Sequence, residues 1–292
     1  MANLKEVRNR ITSVNSTMQI TSAMKMVSAA KLKRAQDAVT QMRPFSEKLS
    51  EVLSNLTASL DSSEGAYGPH GEVNNVLLIP VSSNRGLCGG FNSQIVKATN
   101  ELIKNKYAGK NVKVMSIGKK ASDTFVRDGY AAAAEVLPEH ANHVFDSLTY
   151  ENVEKVAQQV MDSYVAGHFD EITLVYNTFK NAATQVVVRE QFLPVIAPEN
   201  ASSSTMVDYI FEPNKEDILD VIVPKSLKTQ IFKAVLDSFA GEQGARMTAM
   251  HKATDNAGDL LKELKLTYNK ARQTAITTEI LEIVSGAEAM NA

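Results

Sequence analysis

From Lys225 to Ala292 the chain contains no proline, and its apolar residues recur at helical spacing. Leu227, Ile231, Val235 and Phe239 form one row. Leu261, Leu264, Tyr268, Ala271 and Ala275 continue a seam at three- and four-residue steps, with Ile276, Ile280 and Ile283 as its neighbour row. About 65 helical residues at 1.5 Å each span roughly 100 Å, longer than any small domain. A helix of that length needs a partner along it. The first 60 residues supply one. Leu4, Val7, Ile11, Val14 and Met18 step by a heptad rhythm, and Met42, Phe45, Leu49, Val52 and Leu56 repeat it. Between Ile20 and Arg34 the seam is expected to thin to Ala23, Met24, Val27, Ala29 and Ala30. Pro44 is expected to bend or interrupt the first helix, Pro213 to open the last one and Pro224 to break or kink it.

Between these helices the period changes. Val73–Val81 contains VLLIPV, a run that reads as a buried strand, and a Gly-rich turn follows at Asn84–Gly90. Helices are expected at Asn92–Lys106, Lys119–Arg127 and Tyr150–Ala166. Further strands are expected at Val112–Ile117, Ile172–Tyr176 and Val186–Arg189. Strands alternating with helices imply an α/β fold with a partly parallel sheet. The expected fold class is therefore α/β plus a long antiparallel coiled coil: N- and C-terminal helices pair, and a Rossmann-like α/β domain is inserted between them. The expected divisions are 1–60, 73–206 and 213–290.

Charge and composition narrow the function classes. The net charge of −2 excludes a globally basic nucleic-acid binder. It conceals a split, with residues 1–43 carrying eight basic and two acidic side chains. The absence of Trp and the low aromatic content favour long helices over a β-sandwich. A single Cys rules out an internal disulfide framework and fits a reducing compartment. No apolar run approaches the ~18–20 residues of a membrane span, and MANLKEVRNRI has no apolar core of a secretory signal. Any membrane association is expected through partners.

Catalytic signals are weak. The turn after the first strand reads Gly-x-x-Gly-Gly, which matches neither common phosphate-binding glycine pattern. Cys88 has no Cys-His signature around it and reads as a small buried residue. His140 and His143, with Glu139 and Asp146, lack the spacing of a zinc helix. His251 is expected on the last helix without an orienting carboxylate. Arg246–Asn256 and Tyr268–Glu279 are more informative, combining Arg, Gln, Thr, Asn and Glu with small residues over much of the helix circumference. Such a surface is either an Ala/Thr-rich solvated helix or one enclosed by other proteins. On the residues alone, a partner-enclosed shaft, a small-molecule α/β enzyme with helical arms and a coiled-coil nucleic-acid binder all remain open. The lack of a basic face on the last helix weighs against the third.

Three blocks carry a resemblance: ITSVNSTMQITSAMKMVSAAKLKRAQ (Ile11–Gln36), SSNRGLCGGFN (Ser82–Asn92) and EQGARMTAMHKATDNAGDLLKELKLTYNKARQTAITTEILEIVSGA (Glu242–Ala287). Through them the chain resembles, over essentially its whole length, the gamma subunits of bacterial-type F-type ATP synthases. The resemblance implies a central rotor stalk, non-catalytic and without a cofactor, that couples c-ring rotation to conformational change at the beta-subunit catalytic sites. It implies partners as well: three alpha and three beta subunits, the epsilon subunit and the c-ring, with no nucleic acid. It implies a peripheral place on the cytoplasmic face of the bacterial inner membrane, held through the c-ring. By the same resemblance Arg272 and Gln273 match a pair that hydrogen-bonds a beta loop. Arg246, Thr277 and Glu279 match polar positions that matter for coupling, with Met24 facing that region from the other helix. Arg85 and Cys88 match a loop near beta, and Tyr209 the foot near epsilon and the c-ring. Against the family pattern, Asn84 stands where Asp is common, Gly241 and Gly244 where Ser or Ala is more frequent, and His251 where Lys or other residues are usual.

Overall fold

Val76, Leu77, Leu78 and Ile79 are all completely buried, because β1 (Asn75–Pro80) lies inside a sheet covered by helices on both faces. The computed structural model describes residues 4–58, 66–69, 71–132, 136–181, 184–195 and 215–291. The elements in chain order are α1 (Leu4–Ala58), β1, α2 (Phe91–Lys104), β2 (Asn111–Val114), α3 (Lys119–Arg127), a 3-10 turn at Asn142–Phe145, α4 (Tyr150–Val165), β3 (Glu171–Phe179), β4 (Gln185–Leu193) and α5 (Lys215–Asn291). The chain divides into two compact units, Ala29–Arg246, and Met1–Ser28 with Met247–Ala292.

In Ala29–Arg246 the sheet order is β2-β1-β3-β4. β1 pairs in parallel with β2 and with β3, while β3 and β4 form an antiparallel hairpin. The partly parallel sheet agrees with the sequence reading. Alternate residues of β1 point to opposite faces. Leu77 and Ile79 pack with α4 through Val153, Val156 and Val160, and with Leu227, Ile231 and Val235 of α5. Val76 and Leu78 pack with Phe91 and Ile95 of α2 and Phe125 of α3. Each such aliphatic side chain contributes about 1.5–3 kcal/mol by leaving water. The row Leu227–Ile231–Val235 is thus a sheet-covering face, and Phe239 stacks on Phe145 with centroids 6.3 Å apart.

In the other unit α1 and α5 run antiparallel. Thr254 Oγ1 donates to Thr21 Oγ1 at 2.8 Å, Lys25 Nζ lies 3.3 Å from His251 Nδ1, and a Cβ on Gly258 would touch Met18. On α1 the inward stripe is Val7, Ile11, Val14, Met18, Thr21, Lys25 and Ser28. The expected thinning of the seam is therefore corrected. The heptad rhythm persists through small polar and amphipathic side chains, while Ala23, Val27 and Ala30 face outward. On α5 the stripe is Met250, Thr254, Ala257, Leu261, Leu264, Tyr268 and Ala271. It ends there, and Ala275, expected within it, is exposed.

Neither Pro44 nor Pro224 interrupts its helix. α1 continues through Pro44 and α5 through Pro224. Pro44 and Thr40, whose carbonyl has no helical N–H donor at position 44, are both exposed residues. Pro213 lies outside the described residues.

Candidate partner-contact sites

The loop Val81–Gly90 leaves β1 where a doubly wound sheet commonly receives a ligand. Here its polar groups are consumed internally. Ser83 N–H donates to Asn92 Oδ1, and Ser238 Oγ of α5 donates to Val81 O at 3.1 Å. The first N–H groups of α3 are also occupied: Lys119 donates to Asn84 Oδ1, Lys120 to Ser83 O and Ala121 to Ser82 Oγ. Asn84 in turn donates from Nδ2 to Asn142 O, a bond that an Asp at this position could not make. Gly118 adopts φ 109, and a Cβ there would collide with the Ser82 carbonyl. α5 closes the remaining space. A Cβ on Gly241 would come within 3.3 Å of Gln185 Cγ and 3.5 Å of the Phe91 ring, which explains a glycine inside a helix at this point.

Within the same loop Cys88 is 2% exposed and receives a bond from Asn92 Nδ2 at 3.2 Å. Burial pushes its thiol pKa up, as for a packed side chain rather than a nucleophile. Arg246 of α5 reaches the loop from the other side. Its Nη2 donates to Arg85 O at 2.9 Å and to Gly86 O at 3.3 Å, and its Nε to Gly86 O at 3.4 Å. Its Nη1 lies 2.6 Å from Glu242 Oε1, one turn earlier, in a buried ion pair. Burial raises the Glu242 pKa, against the opposing pull of Arg246. The clamped loop holds Leu87 at φ 63, a conformation that costs a residue with a Cβ about 1–2 kcal/mol. Leu87 is nevertheless 64% exposed. The structure thus brings Arg85, Cys88 and Arg246 together.

Arg272, Gln273, Thr277 and Glu279 lie on the part of α5 beyond Ala271, where every side chain is exposed as far as Glu288. Thr277 Oγ1 donates to Gln273 O one turn back. Ile276, Ile280, Leu281, Ile283 and Val284 are exposed on the same stretch, Ile283 to 66%. Met24, half-buried on α1, is level with His251 rather than with Arg272, since Thr21 meets Thr254 and Lys25 meets His251. Roughly 30 Å of helix separates it from Arg272. His251 does have a carboxylate: Asp255 at i+4 places Oδ2 3.4 Å from its Nδ1, contrary to the sequence reading. Tyr209 lies outside the described residues. Among the described residues no group of His, Cys, Asp and Glu could hold a metal ion, and no helix is long and apolar enough to cross a membrane.

Sequence reasoning missed Leu87 and the Glu242–Arg246 clamp. A leucine between Gly86 and Gly89, and a Glu and an Arg spaced four apart on an otherwise small-residue helix, were the available signals.

The fold and sequence together define the class. A family model described as ATP synthase matches residues 3–290. The ATP synthase gamma chain of Flavobacterium johnsoniae is 58% identical over 295 residues, covering 100% of both chains. That of Rhodospirillum rubrum is 43% identical, covering 99% of this chain and 100% of the relative. The central stalk and c-ring structure of the Tetrahymena thermophila mitochondrial ATP synthase matches with a TM-score of 0.56 at 26% identity, covering 80% of this chain and 99% of that one. A chain of the Euglena gracilis mitochondrial ATP synthase, solved with its F1 part and c-ring, has the same fold, with a TM-score of 0.70 at 20% identity over 98% of this chain and 94% of that one. The chain belongs to the ATP synthase gamma chain family, the central-stalk subunits of that rotary enzyme.

Proposed function

We propose that this chain acts as a non-catalytic shaft, turned by a c-ring and forcing the beta-subunit sites through different nucleotide affinities. One observation carries the reading. α5 continues for five turns past the last residue it buries against α1, and that stretch displays isoleucines, Arg272 and Gln273 to the outside. An apolar, unpartnered helix end of this kind is unfavourable in water and is suited to a protein collar. The closed crevice beneath the Gly-rich loop is a further reason to assign nucleotide chemistry to partners.

In this reading the divisions 1–60, 73–206 and 213–290 are the two shaft helices and the body between them. Arg272 and Gln273 hydrogen-bond a beta loop, for which the forked guanidinium suits a carboxylate. Thr277, Glu279 and Met24 line the same collar at their own levels, and Tyr209 contacts the foot region near epsilon and the c-ring. Arg85 and Cys88 belong to the loop that meets beta, and Arg246 is a polar position that matters for coupling. The chain is held peripherally at the cytoplasmic face of a bacterial membrane through the c-ring. The test is purification alone and with alpha and beta partners. The expected result is no ATP hydrolysis by the isolated chain and its incorporation into an alpha–beta hexamer. Hydrolysis by the isolated chain, or failure to assemble, would overturn the reading.

A further inference from the structure

Arg246 is a puzzle as a direct contact. Its side chain is nearly buried, and its donors go to Arg85 O, Gly86 O and Glu242 within this chain. A guanidinium so occupied has little left for a partner. Its bonds instead fix the two carbonyls immediately before Leu87. Ser83 Oγ donates to the same Arg85 O at 2.6 Å, and beyond Leu87 the Phe91 N–H donates to Cys88 O. Between these anchors Leu87 is the sole non-glycine residue with positive φ among the described residues, and its side chain points away from the core. A strained backbone persists where its surroundings over-determine it, and such strain gathers at working sites. Among the described residues Leu87 belongs to neither buried cluster of the unit.

We propose that Leu87 is an apolar contact through which the clamped loop presses on the beta subunit, and that Arg246 and Glu242 are positioning residues acting through it. The proposal rests on the shaft reading above and adds to it a contact residue and a different role for Arg246. The occupant is a protein segment with an apolar side chain for Leu87 and a carboxylate for the exposed Arg85 beside it.

The test uses the whole ATP synthase complex reconstituted with this chain. Three variants are compared with the wild type for ATP-driven proton pumping: Leu87→Gly, the paired replacement Glu242→Leu with Arg246→Met, and all three together. The paired replacement removes the loop bonds while leaving no lone buried charge, so the fold is kept. Pumping is expected to fall about tenfold in the first two, and the triple variant is expected to fall no further, because the changes act through one contact. Amide exchange at 85–89 in the full-length chain is expected to quicken about tenfold in the paired variant, as the loop opens locally. Leu87→Gly that pumps like the wild type, losses that multiply in the triple variant, or unchanged exchange would each overturn the proposal. A wild-type complex that does not pump would instead overturn the shaft reading.

Discussion

The sheet-bearing unit and the paired-helix unit bury their apolar residues on different terms. In the first, β1 and the facing residues of α4 are sealed from water within one chain. In the second, the seam is narrow and carries polar side chains. Thr21 meets Thr254 there, and Lys25 meets His251, while Ile20, Met26, Val27 and Leu266 stay exposed. A chain that can close a three-layer core has no need to leave so much of a helix uncovered. The contrast separates a body that is complete by itself from a shaft that other proteins complete.

The comparison breaks most readily at the cores. Leu77→Ala is expected to lower the stability of the full-length chain by about 4 kcal/mol, as a cavity in a sealed core does, and Leu264→Ala by about 1–2 kcal/mol. Equal losses in urea unfolding would erase the distinction. Next in size, Arg246→Ala leaves Glu242 buried without its cation and is expected to cost about 3 kcal/mol. A smaller effect is pH-dependent. Burial raises the Asp237 pKa above its usual 3.8, against the pull of Arg43 and Lys233. The folded chain then holds that proton more tightly than the unfolded chain. The stability it contributes is full below 3.8 and is lost as pH rises through the folded value. Asp237→Asn is expected to gain on the wild type as pH rises through this window, and parallel stability curves would contradict it. The smallest effect belongs to the shaft end. Replacing Ile276, Ile280 and Ile283 together by Ser is expected to change the unfolding free energy of the isolated chain by less than about 0.5 kcal/mol. A larger loss would mean that these side chains are buried within the chain itself.

Much of this architecture was legible because periodicity reports burial directly. The α3 limits agree with the sequence reading, and the stripe from Leu261 to Ala271 is found on α5 as expected. What escaped was whatever depends on contacts rather than spacing. Thr21 and Ser28 are buried because two helices approach closely there, and nothing in their residue types announces it. β4 runs well beyond Val186–Arg189 because its hairpin with β3 extends the pairing through polar residues. α1 runs on through Pro44, an exposed position, which residue type alone does not reveal. Leu87 escaped because its only signal, a leucine between Gly86 and Gly89, does not specify a backbone angle.

ATP-driven proton pumping by a complex carrying Arg272→Ala with Gln273→Ala is the most direct test of the shaft. Both side chains are exposed on α5, so thermal unfolding of the isolated chain is expected to stay unchanged. Pumping is expected to fall several-fold, by the loss of charge-assisted hydrogen bonds to a partner loop. Pumping at the wild-type rate by the assembled double variant would contradict the account.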